Sequence, residues 1–281
     1  ILNNVGSPRH EAMLRHALGD VAILGVVPRD AALAHPSRHL GLVQAGERAD
    51  LDSYLERAAD LIGAGLDMAA LLALAAAAPG ITARDAPRIA PPAQRIAVAR
   101  DQAFAFAYPH MLDDWSAAGA ELSFFSPLAD EGPMDADFIY LPGGYPELHA
   151  GRIAGAANFM QRIRSAAENT DIYGECGGYM VMGQGITDAG GTAHPMLGLL
   201  DLATSFQERK LHLGYRHLHS NHGPMAGHWA GHEFHYATTL RARGDPLFEA
   251  TDAADTALPH MGLRNGRACG SFAHLIDRAL P

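Results

Sequence analysis

The sequence predicts an α/β chain whose main part, residues 95–281, is a doubly wound, mostly parallel sheet. Three observations lead there. Short apolar strands alternate with helices from Arg95 to Glu175, the spacing that puts crossover helices between parallel strands. Two of those strands run into glycine turns, Pro142-Gly143-Gly144 and Cys176-Gly177-Gly178, at the carboxyl edge where open sheets place their sites. Apolar residues make up 48% of 281 residues against 19% charged, enough for a full core.

The elements follow in order. Ile1 to Val5 reads as a strand, closed by Gly6-Ser7-Pro8. There Ser7 suits a helix N-cap and Pro8 the first helical position. The helix that follows carries Met13, Leu14 and Leu18 on one face. Val21 to Val27 is a short apolar strand stopped by Pro28. Leu51, Tyr54, Leu55, Ala58, Leu61 and Ile62 keep the three-four spacing of an amphipathic helix. Asp67 suits the cap of a second helix, with Leu71, Leu72 and Leu74 turned inward. Residues 79–94 hold four prolines among small and charged residues and form the linker candidate. The chain therefore divides into residues 1–78, a linker at 79–94 and a domain at 95–281.

In that domain, strands are expected at Arg95–Arg100, Glu121–Phe125, Asp137–Leu141 and Asp171–Glu175, and helices at Tyr108–Ala118 and Ala154–Ala167. From Thr192 the helical period fades into histidine- and glycine-rich strands and loops packed at one edge.

Composition narrows the chemistry. Acidic residues outnumber basic ones, 31 to 21, and no Lys/Arg cluster offsets them, which argues against nucleic acid as a partner. No apolar run is long enough to span a bilayer. Two cysteines are too few for a disulfide scaffold and suit a reducing cytoplasm. Lys210 is the only lysine, so the chain holds no phosphate loop of the G-x-x-x-x-G-K-[ST] type. Ile1 opens inside a strand, so a preceding N-terminal part is expected.

Gly174-Glu175-Cys176-Gly177-Gly178 follows a strand and opens a helical stretch. A nucleophile between glycines at such a turn is the elbow arrangement, in which small neighbours permit a strained backbone that exposes the side chain. The helix start beside the sulfur favours the thiolate, the reactive form. The Leu141–Glu147 segment, with its Gly-Gly turn, offers backbone amides to a developing oxyanion. A thiolate needs a base that later protonates the leaving group. Of sixteen histidines, His274 stands out at the end of an apolar run, and His232-Glu233-Phe234-His235 is the other strong cluster. His232 and His235 are three apart rather than four, which fails the H-E-x-x-H zinc pattern, and no metal ligand is assigned.

Four segments, LPGGYPE (141–147), YGECGGYMVMG (173–183), GHEFHY (231–236) and GSFAHL (270–275), resemble the glutamine amidotransferase domain of corrinoid a,c-diamide synthases. ILNNVGSPRHE (1–11) and LGVVPRD (24–30) resemble the end of their dethiobiotin synthetase-like, P-loop NTPase-like domain. The resemblance implies a class I-type, flavodoxin-like amidotransferase fold behind a remnant of the ATP-binding synthetase domain. It implies Cys176 as nucleophile, His274 as base and then acid, and the Gly144 and Gly177 amides as the oxyanion hole. Asn3 and Pro28 match positions near the nucleotide base. The implied small molecules are L-glutamine, a corrinoid macrocycle, and ATP with Mg2+, whose phosphate site would lie upstream of Ile1. A homodimer is compatible with it. Many related amidotransferases carry an acid two residues after the catalytic histidine, but that position is Ile276 here. A Cys-His dyad is therefore expected, with Glu233 the candidate third member. Nickel sirohydrochlorin and cobyric acid chemistry stay open as alternatives. So do a cysteine hydrolase and a histidine-rich metal module.

Overall fold

The computed structural model describes residues 1–38, 41–76 and 89–279. The chain divides into two compact units, residues 1–86 and 87–281. The first ten residues of the expected 79–94 linker lie outside the described residues. Ile89 is already buried against Met111 and Trp115 of the second unit.

In the first unit, β1 (Leu2–Val5) pairs in parallel with β2 (Val26–Pro28), and α1 (Pro8–Leu18) connects them. The local signals set α1 as read: the Ser7 hydroxyl accepts from the His10 N–H and Pro8 opens the helix. The second strand is shorter than expected, because residues 21–24 stay outside the pairing and Val21 is exposed. A small hairpin, β3 (Ser37–Arg38) and β4 (Gly41–Leu42), precedes α2 (Leu51–Gly65) and α3 (Met68–Leu74). Asp67 caps α3 through the Ala70 N–H. The inward placement of Leu72 and Leu74 does not hold; both are exposed, as are Met13 and Leu18 of α1 and Leu55 and Ile62 of α2. A two-stranded sheet is too small to cover three amphipathic helices.

The second unit is built on a six-stranded sheet. Its strands in chain order are β5 (Arg95–Ala99), β6 (Glu121–Phe125), β7 (Phe138–Leu141) and β8 (Asp171–Glu175). Later come three short strands, β9 (Gly185–Thr187), β10 (Ala193–Pro195) and β11 (Asp201–Ser205). Two long ones, β12 (His212–Ser220) and β13 (Gly227–His235), are followed by β14 (Thr238–Arg243), β15 (Phe248–Thr251) and β16 (Ala257–Met261). The last are β17 (Leu263–Asn265), β18 (Ala268–Ser271) and β19 (Ala273–Arg278). The main sheet runs β17-β18-β8-β7-β5-β6, parallel throughout except at β17.

Strand alternation sends two sets of side chains to the two faces. Ala97, Ala99, Ile139, Leu141 and Ile172 face α5 (Ala150–Gly155) and α6 (Ala157–Ala166), burying Ile153, Phe159 and Ile163. The expected single helix over 154–167 is thus two, divided at Ala156. Ile96, Val98, Phe138, Tyr140 and Tyr173 face Met111 and Trp115 of α4 (Pro109–Ala117), together with Leu218, Trp229 and Leu275. Those last three belong to a five-stranded antiparallel sheet, β16-β15-β12-β13-β19. The region after Thr192 is therefore not an edge appendage: one of its sheets covers a face of the core. A fourth helix, α7 (Gly177–Met182), follows β8 directly. No helix among the described residues is long and apolar enough to cross a membrane.

Candidate active site

Cys176 stands where β8 ends and α7 begins, with φ +49° and ψ −101°. A side chain is strained in that conformation, and the surroundings enforce it. The Cys176 N–H donates to the Ser271 carbonyl (2.8 Å) and the Gly178 N–H to the Pro142 carbonyl (3.1 Å). The glycines are there because chain meets chain: a Cβ at Gly178 would strike the Leu141 carbonyl, and one at Gly144 the Ala103 carbonyl. A Cβ on Gly143 would lie 2.6 Å from His274 Cε1 and 3.5 Å from Cys176 Cβ. The Leu141–Glu147 turn, Cys176 and His274 therefore converge on one point. A Cβ on Gly177 would come 3.0 Å from the Gly144 nitrogen, so the two expected oxyanion donors border one small volume.

His274 reaches this point through a change of sheet. The run 268–275 is not one strand: β18 ends at Ser271 in the parallel sheet, and β19 begins at Ala273 in the antiparallel one. The buried imidazole lies beside Cys176, and a Cβ on Gly143 would touch both side chains. Its Nδ1 lies 3.2 Å from Glu175 Oε1, off the direct line of a hydrogen bond, so that contact is mainly electrostatic. Burial disfavours the His274 imidazolium, but the Cys176 sulfur and the Glu175 carboxylate outweigh it and push the pKa up to about 10.

Glu175 is the residue that the sequence reading missed. It is wholly buried, which a carboxylate tolerates only when it is paired. The Tyr140 hydroxyl donates to Oε1 (3.0 Å), while the Leu275 N–H (3.0 Å) and the Tyr173 hydroxyl (3.5 Å) donate to Oε2. Tyr173 and Glu175 share a strand face by period-two alternation, and Tyr140 stands opposite Tyr173 across the β7–β8 ladder. The signal was present as a carboxylate at the carboxyl end of β8, directly after the uncharged run Ile172-Tyr173-Gly174.

Glu233, the candidate third member, is turned elsewhere. The register pairs His232 with His274 and Glu233 with Ala273, so alternation sends Glu233 to the other face of β13. Its Oε2 accepts from Arg216 Nε (3.2 Å) and Nη2 (2.7 Å), and its Oε1 meets His235 Nε2 at 2.9 Å. Burial works to raise its carboxyl, but His235 and Arg216 prevail and hold it below the ordinary value. His212, Glu233 and His235 bring ligand atoms within 4.8 Å of one another. They do not suit a metal: the His212 and His235 rings are stacked 4.6 Å apart at 4°, so their in-plane lone pairs run parallel instead of converging. Arg216 also occupies the carboxylate.

Two further side chains close the site. Tyr108, just before α4, has its hydroxyl 2.7 Å from His232 Nε2. The His232 ring lies 4.9 Å from that of His274, at 2°. His232 was read from the sequence as part of the 232–235 cluster, whereas Tyr108 was not singled out as a site residue. Asn3 on β1 and Pro28 at the end of β2 lie in the first unit, both exposed.

Among relatives, hydrogenobyrinate a,c-diamide synthase of Brucella anthropi is 55% identical over 284 residues, covering 99% of this chain and 65% of that protein. The synthase of the same name from Rhodobacter capsulatus is 50% identical over 286 residues, covering 98% and 65%. The chain thus spans just under two thirds of the length of these relatives. Of solved structures, PurLQS from Thermotoga maritima aligns with 65% of this chain and 87% of its own at 18% identity, with a TM-score of 0.45. Residues 95–279, the unit that assembles Cys176, His274 and the glycine turns, match the CobB/CobQ-like glutamine amidotransferase domain, and the chain belongs to that family.

Proposed function

We propose that this chain carries the glutaminase site of an a,c-diamide synthase, an ATP-driven carbon–nitrogen ligase that takes its nitrogen from glutamine. The observation that carries the glutaminase half is the set Cys176–His274–Glu175: a nucleophile on a strained turn, a base beside it, and a buried carboxylate behind the base.

The chemistry follows from those positions. The Cys176 sulfur, as thiolate beside the His274 imidazolium, attacks the side-chain carbonyl carbon of glutamine. Negative charge gathers on the carbonyl oxygen, and the N–H groups of Gly144 and Gly177 stabilise it from the volume no side chain can enter. His274 gives its proton to the departing nitrogen, which leaves as ammonia, and a thioester stays on Cys176. His274, neutral at that point, takes a proton from water, which attacks the thioester and releases glutamate. Glu175 keeps the imidazole oriented and offsets its charge throughout.

The names of the relatives support the ligase half, with the a and c acetate carboxylates of a hydrogenobyrinate- or cobyrinate-type corrin as acceptors. The residues present do not fit the phosphates of ATP or its Mg2+. Lys210, the only lysine, lies in the amidotransferase unit, where its N–H bonds the Tyr236 carbonyl, and no glycine-rich loop precedes it. No amidation step is therefore derived from this chain. Asn3 and Pro28 are proposed to border the nucleotide base, and residues 1–78 to complete a synthetase domain that would cover the exposed apolar faces of α1 and α2. On this reading the enzyme handles small molecules in the cytoplasm.

The test is Cys176→Ser in the full-length enzyme. Glutamine hydrolysis and glutamine-dependent amidation should both vanish, while added ammonia still supports ATP-dependent amidation. Glutamine hydrolysis that persists in the variant would overturn the assignment.

A further inference from the structure

We infer that Tyr108 and His232 are a positioning pair for the base: the Tyr108 hydroxyl donates to His232 Nε2 and fixes a neutral imidazole flat against His274. This rests on the glutaminase reading for its activity assay and goes beyond it in assigning two side chains that do not touch the reacting atoms.

Three contacts carry the inference. Tyr108 reaches His232 at 2.7 Å. The His232 and His274 rings are parallel within 2° and 4.9 Å apart. Tyr108 also stands edge-on to His274, with centroids 6.2 Å apart at 86°. The base is thus bounded by a flat ring on one side and a ring edge on another, with Glu175 at Nδ1. Gly143 allows this approach, since any Cβ there would meet His274 Cε1.

The charge states agree with that geometry. A stacked ring stabilises an imidazolium through its π face only if it is itself neutral; two imidazoliums at this spacing would repel. Burial and the neighbouring His274 lower the His232 pKa, against the opposing pull of Glu175. Burial, with Glu175 and Cys176 nearby, holds Tyr108 well above its ordinary value, so it stays a phenol with a proton to donate. The remaining neighbour on this side, His110, packs against Tyr108 and is bonded to the Ile276 carbonyl (2.7 Å). With Nε2 accepting from Tyr108, the His232 proton sits on Nδ1 and the ring is held in one orientation.

The experiment uses the full-length enzyme with His232→Ala, His232→Phe and Tyr108→Phe. Glutaminase kcat should fall about 3- to 30-fold in His232→Ala, the range of a cation–π contact expressed as rate, with KM nearly unchanged. The alkaline limb of its kcat profile should move to lower pH, since the imidazolium loses its partner. His232→Phe keeps the flat ring and should retain most of the kcat and the wild-type limb. Tyr108→Phe should fall between wild type and His232→Ala. Alkylation of Cys176 by iodoacetamide reads the thiolate–imidazolium pair without glutamine; its midpoint should rise by about half a pH unit or more in His232→Ala and stay put in His232→Phe. Wild-type kcat, limb and alkylation midpoint in His232→Ala would overturn the inference, as would His232→Phe behaving like His232→Ala. An alkylation shift in an enzyme that cannot hydrolyse glutamine would sink the glutaminase reading while leaving the pair intact.

Discussion

His274 Nδ1 lies 3.2 Å from Glu175 Oε1, so the carboxylate beside that imidazole belongs to the chain neighbour of Cys176. Every group around that carboxylate is a donor: two tyrosine hydroxyls, the Leu275 N–H and the imidazole. Glu175→Gln would aim an amide N–H2 at one of them, which costs about 1–3 kcal/mol of stability. It should also lower glutaminase kcat about 100-fold with little change in KM, since the imidazolium loses its counter-charge. Glu233→Gln should change kcat by less than about threefold. Steady-state assays of the two variants side by side separate the assignments.

Strain at Cys176 can be weighed directly. Its φ of +49° with ψ −101° disfavours any Cβ and suits glycine. Cys176→Gly should therefore unfold at a higher temperature than Cys176→Ala, by the equivalent of about 1 kcal/mol, although both are inactive. Equal melting temperatures would mean that the turn relaxes once the sulfur is gone.

Gly178, two residues on, carries a steric requirement rather than a conformational one. A Cβ at Gly178 would strike the Leu141 carbonyl, and the Gly178 N–H is bonded to Pro142 (3.1 Å). Gly178→Ala should push the two turns apart, lowering stability by about 3 kcal/mol or more and activity with it. Gly155→Ala, with nothing within 4 Å of the added carbon, is the control and should fold and work as wild type.

The histidine charge links the site to stability. His274 has its folded pKa raised to about 10 from an ordinary 6.5. A raised pKa contributes stability that is fully present below about pH 6.5 and is lost as pH climbs through 10. The contribution is on the order of a few kcal/mol. Thermal stability should thus fall between pH 6.5 and 10, and fall less in Cys176→Ser, which lacks the sulfur that helps raise His274.

What the sequence made legible was local. Ser7 and Asp67 cap their helices as their positions indicate, and the elbow at Cys176 was readable because glycines on both sides leave few other uses for a cysteine there. His274 could be picked out as the candidate base but not how it reaches Cys176, because Ala268–His274 looks like one apolar strand and only tertiary pairing divides it between two sheets. Glu233 misled because proximity in sequence to a histidine cluster says nothing about which strand face a carboxylate takes. Glu175 was flagged only by its place at the end of β8, since its partners Tyr140, Leu275 and His274 come from distant parts of the chain. The exposed Leu72 and Leu74 of α3 show the limit of periodicity, which reports an apolar stripe but not whether anything covers it.

The change of sheet at Phe272 makes catalysis a reporter of assembly. Cys176 and Glu175 sit at the end of β8 in one sheet, while His274 rides on β19 in the other. If β19 and β13 peel away, Cys176 keeps its turn but loses His274, the proton carrier proposed for it. Local opening of that layer would silence the enzyme well before global unfolding. Loss of turnover during gentle denaturation should therefore precede loss of the parallel sheet, and the thiol stays chemically quiet until both layers have closed on each other.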